Sequence, residues 1–109
     1  IAGIGPGISK VNYFIKAEDA RLIDEACWQS FSEKRVVGGG ERIYLDILGN
    51  ISSQLQASGV TASNIQAYGA GVDTFGLAGK NPPEAFSQRY ANETGNMLKN
   101  GRILVAAQL

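Results

Sequence analysis

The chain has 109 residues, which is enough for one domain or for part of one. Hydrophobic residues make up 44% and charged residues 18%, an ordinary composition for a globular protein that argues against intrinsic disorder. Ten Lys and Arg residues balance ten Asp and Glu residues, and this zero net charge argues against a role in binding nucleic acid.

The cysteine and histidine counts limit the chemistry that this chain can support alone. The single cysteine, Cys27, cannot form an internal disulfide, so we expect a reducing, cytoplasmic environment. The absence of histidine excludes a Ser-His or Cys-His catalytic pair and most zinc sites built from this chain alone. The apolar runs are too short to span a bilayer and no secretion signal opens the chain, so we expect no membrane association.

The first third of the chain predicts one strand and one amphipathic helix. Residues 1–5 form an apolar run that the turn signal Gly5-Pro6-Gly7 ends, and we predict a short buried strand that needs neighbours on both sides. Residues 17–31 place apolar side chains at helical spacing and predict an amphipathic helix. Because Cys27 falls on that apolar stripe, we expect it to be a small buried hydrophobe and not a nucleophile.

The middle of the chain predicts a strand followed by a second helix. Gly38-Gly39-Gly40 is interpreted as a flexible break, and residues 42–46 as a strand that ends at Asp46, a helix cap. The helix, predicted over 47–58, carries Leu48, Ile51 and Leu55 on one face and stops at Gly59, with Val60 packing back on that face.

The last part of the chain predicts two strands around a long loop. Residues 64–68 are a strand candidate, and 69–83 are a Gly/Pro-rich loop of a kind that is more often functional or mobile than merely connecting. We predict a short helix over 84–91 and a central apolar strand over 102–107. The expected fold class is therefore α/β (α+β), a layered mixed sheet with two main helices, in a single domain or half of one.

Few residues stand out as candidates for chemistry. Asp73 lies in the glycine-rich loop, but the sequence indicates no partner for it. Arg89 and Arg102 lie where loops meet regular elements, and such arginines suit bidentate anion binding and structural ion pairs equally well. The three glycine clusters, at 3–7, 38–40 and 69–71, are interpreted as turns or hinges and not as phosphate-binding loops. No nucleophile, general base and orienting group occur together, so the residues predict a fold but no reaction.

Several segments, taken in order along the chain, resemble the YfiH-like or laccase-domain family. The resemblance is carried by Ile4-Gly5-Pro6-Gly7-Ile8 with Tyr13, Tyr44-Leu45-Asp46-Ile47 with Asn50 and Gln54-Leu55, Gly59-Val60 with Asn64-Ile65, and Phe86-Ser87-Gln88-Arg89 with Gly101-Arg102. The sequence departs from the family pattern in three places. The family commonly has a Cys-Thr pair after the strand at 64–68, where this region reads Val72-Asp73-Thr74, and the spacing from Thr74 to Phe86 is longer than usual by several residues. Val11-Asn12 replaces a frequent pair of cysteines before the tyrosine.

Members of this family, first labelled polyphenol oxidoreductases, are understood as purine nucleoside phosphorylases that also deaminate adenosine, which are transferase and hydrolase reactions. The resemblance implies a zinc site of two histidines and one cysteine in the family's amino-terminal half, with a purine nucleoside and phosphate beside it. This chain would be the carboxy-terminal half of that domain, incomplete and inactive alone, with no catalytic or metal-binding residue of its own. The residues that we expect to bind substrate are Arg89, Arg102, Asp73 and Thr74.

Three hypotheses follow. In the first, the chain works with a missing amino-terminal half or a second chain of an oligomer, which supplies the metal. In the second, it is a non-catalytic module that completes the sheet of another subunit. In the third, residues 69–79 form a nucleotide-binding loop.

Overall fold

A two-stranded and a three-stranded sheet form the framework of the residues that the computed structural model describes, which are 1–5, 7–23, 26–67, 73–80 and 87–99. The strands are β1 (Ala2–Ile4), β2 (Phe14–Lys16), β3 (Ser32–Val37), β4 (Gly40–Leu45) and β5 (Ile65–Ala67). The α-helices are α1 (Ile47–Ala57), α2 (Thr74–Ala78) and α3 (Gln88–Thr94). Short 3-10 helices cover Ala17–Ile23, Ala26–Phe31, Ala62–Asn64 and Met97–Lys99. The mixture of helices and strands confirms the α/β class.

The three-stranded sheet is antiparallel, with β4 in the centre between β2 and β3. Ile43 and Leu45 on β4 are only 2% and 3% exposed, because side chains on one face of this central strand are covered by the 3-10 helix Ala17–Ile23 packed against it. The prediction of a strand at 42–46 is therefore confirmed. Its two partners, β2 and β3, were not predicted.

A tight turn at Gly38-Gly39 joins β3 to β4. Val37 pairs directly with Gly40, which leaves only two residues in the connection. Both have positive φ angles, 59° and 79°, as a two-residue hairpin turn of type I′ requires. The interpretation of this glycine run as a flexible break was wrong, whereas its interpretation as a turn is confirmed. Two glycines between β-rich segments are themselves a hairpin signal.

Helix α1 begins and ends as its sequence predicts. The Asp46 carboxylate accepts a hydrogen bond from the Gly49 amide at 2.9 Å and so caps the first turn. At the other end Gly59 has a φ of +98°, its amide donates to the Gln56 carbonyl, and the Val60 amide donates to the Leu55 carbonyl. These two bonds form a Schellman motif, which ends the helix.

The two-stranded sheet pairs two strands, β1 and β5, that lie far apart in the sequence. β1 and β5 run parallel, with Gly3 opposite Gln66. The strands predicted at 1–5 and 64–68 are thus confirmed in their central residues. The expected burial at the start is not observed, because Ile1 is 93% exposed and Gly3 is exposed too.

Within the described residues, the segment predicted as a helix at 17–31 contains two 3-10 helices, Ala17–Ile23 and Ala26–Phe31. A 3-10 helix repeats every three residues, so within each of them side chains spaced by four no longer share a face. Cys27 is exposed, and the prediction that it is a buried hydrophobe was wrong.

The segment predicted as a loop at 69–83 contains α2, so that prediction was wrong for residues 74–78. The short helix predicted at 84–91 is found as α3, which begins and ends a few residues later. Residues 84–86 and the strand predicted at 102–107 lie outside the described residues. None of the helices in the described part of the chain has the length and apolar character that crossing a bilayer requires.

The turn geometry gives a testable prediction. Gly39→Ala should lower the free energy of unfolding by about 1–2 kcal/mol, because alanine in a left-handed conformation brings its Cβ too close to the following carbonyl. Gly40→Ala is the matched control, since its new Cβ would lie 3.9 Å from the Val37 carbonyl, an ordinary contact. Urea denaturation measures both variants. Equal losses of stability would contradict the assignment of the turn.

Candidate functional site

A polar cleft opens where the segment after β1 meets α2 and α3. Its volume is about 530 Å³, within the range of small-molecule sites. The side chains that line it are Ile8, Tyr13, Thr74, Ser87, Gln88, Arg89 and Asn92. The lining side chains in the described part of the chain comprise one guanidinium, several hydroxyls and amides, one aromatic ring and no carboxylate. Such a lining suits a polar ligand that carries negative charge.

The Asp73 carboxylate lies beside the cleft and holds two segments together. Oδ1 accepts hydrogen bonds from the backbone amides of Phe75 at 3.0 Å and Ser9 at 3.1 Å. Oδ2 accepts from the Ser9 hydroxyl at 2.8 Å and from the Asn12 side-chain amide. One carboxylate thus caps α2 and also binds a turn more than sixty residues earlier in the chain.

These bonds fix the position of Thr74. The Thr74 amide donates to the Gly7 carbonyl at 3.0 Å, and Gly7 and Asp73 form an isolated parallel bridge. The residue is 7% exposed, so most of it is buried while part still faces the cleft. Its place in the site is therefore set by the backbone and by Asp73 together.

Ionisation of Asp73 is favoured by its surroundings. Burial raises the pKa of the carboxyl, but the hydrogen bonds from the Ser9 amide, the Ser9 hydroxyl, Asn12 and the Phe75 amide outweigh burial and lower the pKa below its usual value. The charged carboxylate is the form that accepts all of these bonds. The four hydrogen bonds that the Asp73 carboxylate accepts, here called the Asp73 clamp, are consequently all present at neutral pH.

Arg89 is anchored on the other side of the cleft. Its Nη2 donates to the Phe14 carbonyl, and Nη1 lies 3.7 Å from the Glu93 carboxylate one turn along α3. The guanidinium carbon is 4.3 Å from the centre of the Phe14 ring and 5.9 Å from that of Tyr13. The side chain is 28% exposed. The Arg89 side chain thus makes structural contacts and also places a fixed cation in the cleft wall. This geometry is compatible with both roles that the sequence left open, anion binding and a structural ion pair.

Helix α3 is held in place by two local contacts. Ser87 caps it, since its hydroxyl accepts from the Tyr90 amide at 3.3 Å. The Tyr90 ring packs edge-on against Phe75 of α2, with 5.2 Å between ring centres. The caps and the aromatic pair therefore set the relative position of the two helices that line the cleft.

The structure brings some of the predicted site residues together. Thr74 and Arg89 line one cleft, whereas Asp73 contacts protein donors and is not among the lining residues. Arg102 lies outside the described residues. Sequence reasoning did not assign the remaining lining residues or the Ser9 and Asn12 contacts to Asp73. The capping pattern at Ser87 was a usable signal for the start of α3, but nothing in the sequence pairs Asn12 with Asp73.

Comparison with known proteins decides the family. A family model described as multi-copper polyphenol oxidoreductase laccase matches residues 1–103. The chain belongs to that family. The match confirms the resemblance carried by the sequence motifs, and it spans every residue of the cleft in this laccase-domain chain. No curated protein and no solved structure gives a significant match.

The donor atoms of this laccase-domain chain do not fit a copper or zinc centre of its own. Such centres are built mainly from imidazole and thiolate ligands. The sequence has no histidine and one cysteine, and the described residues contain no group of three Cys, Asp or Glu side chains that could hold a metal ion. The cleft itself offers hydroxyls, amides and one cation.

The Asp73 clamp gives a prediction about stability and pH. Because the folded state lowers the pKa, the stabilisation is present above the ordinary aspartate pKa of about 3.9 and is lost as the pH falls through the lower folded value. Asp73→Asn should cost about 1–3 kcal/mol at neutral pH, since it weakens hydrogen bonds to a charged acceptor. The difference from wild type should shrink below about pH 4.

Urea denaturation between about pH 2 and pH 7 measures this difference, since the range extends about two units below and about three units above the ordinary aspartate pKa. Glu41→Gln is the control, because its exposed ion pair with Lys34 at 3.7 Å should contribute less than about 1 kcal/mol. A difference for Asp73→Asn that stays constant across the whole range would contradict the role given to the charge.

Proposed function

We propose that this laccase-domain chain forms one wall of the substrate site of a zinc-dependent purine nucleoside phosphorylase that also deaminates adenosine. The zinc ligands would lie in protein outside these 109 residues, in an amino-terminal half or a second chain. The observation that carries the proposal is a cleft that places Thr74 and the anchored Arg89 together in a chain that has no histidine. Membership of the family over residues 1–103 supports it.

In phosphorolysis a phosphate oxygen forms a bond to the sugar carbon, and the glycosidic carbon–nitrogen bond breaks as the base leaves. Arg89 is suited to hold the phosphate, because a guanidinium binds oxyanions through two parallel hydrogen bonds. Its contacts with Phe14 hold it in place before the ligand arrives, which reduces the entropy lost on binding. Arg102 would be a second cation near the phosphate.

The other cleft residues suit the rest of a nucleoside. The Tyr13 ring is half-buried and can pack against a flat purine. Hydroxyl and amide groups of Thr74, Gln88 and Asn92 can bond to the sugar hydroxyls and to the edge of the base. The cleft supplies binding and orientation, whereas activation of water for deamination would depend on groups from outside this chain.

A sheet-completing module is the second candidate, and one observation favours it. Within the described residues β1 and β5 pair only with each other, and a two-stranded parallel sheet is rarely found without further strands or covering helices. A partner strand could add to either edge. Size-exclusion chromatography that gives a clean monomer with no exposed hydrophobic surface would count against this candidate.

The first test uses the 109-residue chain. We expect it to bind no zinc, measured by elemental analysis after dialysis, and to release no hypoxanthine from inosine and phosphate, because it lacks the ligands for the metal. The protein as its gene encodes it, assayed in parallel, should do both. Phosphorolysis by the 109-residue chain alone would contradict the proposal.

The second test separates anion binding from structure at Arg89. Arg89→Lys in the encoded protein should raise the phosphate KM about tenfold or more, because lysine keeps the charge but loses the bidentate geometry. Arg42→Lys is the matched control, since Arg42 also lies over Phe14, at 4.2 Å, but does not line the cleft. Equal effects of the two variants on the phosphate KM would mean that Arg89 influences phosphate binding only through its contact with Phe14.

A further inference from the structure

We propose that Asp73 is a positioning residue for the cleft, and that it acts by pinning the turn before Tyr13 against the start of α2. The proposal rests on the proposed function only for the identity of the ligand. The geometry that carries it is independent of any ligand. Asp73 would not touch the substrate.

The turn that Asp73 holds carries one wall of the cleft. The amides of Asn12 and Tyr13 both donate to the Ser9 carbonyl, at 3.1 Å and 2.9 Å, so residues 9–13 form a closed turn. Ile8 precedes this turn and Tyr13 ends it, and both line the cleft. The Asp73 carboxylate accepts hydrogen bonds from the backbone amide and the hydroxyl of Ser9, the first residue of the turn. It also accepts one from the side-chain amide of Asn12, near the end of the turn.

The same carboxylate also fixes the opposite wall. By accepting from the Phe75 amide it caps α2, whose first residue is Thr74. Thr74 in turn donates through its amide to Gly7, just before Ile8. The distance between the two walls is thus set by bonds that converge on one side chain. Arg89 is anchored separately, on Phe14, so loss of the clamp would leave the cation in place.

Asparagine at position 73 tests this arrangement because it keeps the size of the side chain. Its single carbonyl oxygen can still accept from the Ser9 and Phe75 amides. Its NH2 group, however, would face the NH2 group of Asn12, so a bond between the two can re-form only if the Asn12 amide turns over and accepts through its oxygen. The charge-assisted bond to Asn12 is therefore replaced by a weaker neutral one, while the cap of α2 is kept.

A loosened turn lowers the fraction of molecules whose cleft is ready to bind. Apparent affinity falls in proportion to that fraction, so a drop to one tenth weakens binding about tenfold. Because the same contacts bind the substrate and the transition state equally, the loss of affinity raises KM and leaves kcat nearly unchanged. We expect Asp73→Asn to raise the inosine KM about tenfold and to change kcat by less than about twofold.

A swapped pair provides the rescue. In Asp73→Asn combined with Asn12→Asp, the amide at 73 donates to the carboxylate at 12, which restores the bond with its direction reversed. The inosine KM should return to within about threefold of the wild-type value, as expected for coupled neighbours in a double-mutant cycle. Kinetics are measured on the encoded protein well below its unfolding temperature. An unchanged KM in the single variant, or no recovery in the double variant, would overturn the proposal.

Hydrogen exchange tests the clamp without any activity. In the 109-residue chain the Ser9 and Tyr13 amides should exchange faster in Asp73→Asn and regain protection in the double variant, whereas β4 amides should not change. If the wild-type enzyme cleaves no nucleoside but exchange follows this pattern, the proposed function fails and the clamp stands. If exchange at the turn is unchanged, the positioning role fails whatever the enzyme does.

Discussion

The Asp73 carboxylate is the contact on which the candidate site depends. Its four hydrogen bonds join a turn near the start of the chain to the first turn of α2. A carboxylate suits this junction because it offers two oxygens that each accept more than one bond, and it needs no proton at neutral pH. Without it, the backbone bond from Thr74 to Gly7 would be left to hold the two segments together.

Local chemistry explains which parts of the fold were predictable. The Asp46 cap, the glycine that ends α1 and the apolar run of β4 each act within a few residues, and the structure contains all three. The Gly38-Gly39 turn is equally local, but the β3–β4 hairpin around it was not predicted, because a hairpin is recognised only when both flanking strands are. The 17–31 segment misled because its spacing suits an α-helix, whereas the chain adopts 3-10 geometry there.

The candidate site was harder to predict, because its residues come from three separate segments. Arg89 could be singled out from its place where a loop meets a regular element, and Thr74 from the family resemblance, but their meeting in one cleft depends on tertiary packing. Asn12 and Ser9 carry no pattern that marks them as partners of Asp73. Long-range pairing of polar side chains has no periodicity in the sequence, so only the folded chain reveals it.

The most direct measurement of the whole account is a crystal structure of the encoded protein with inosine and phosphate bound. We predict phosphate oxygens within hydrogen-bond distance of Arg89 and the nucleoside beside Tyr13 and Thr74. We also predict metal ligands from outside these 109 residues, and Asp73 still bonded to Ser9 and Asn12. A ligand bound away from this cleft, or one bonded directly to Asp73, would contradict it.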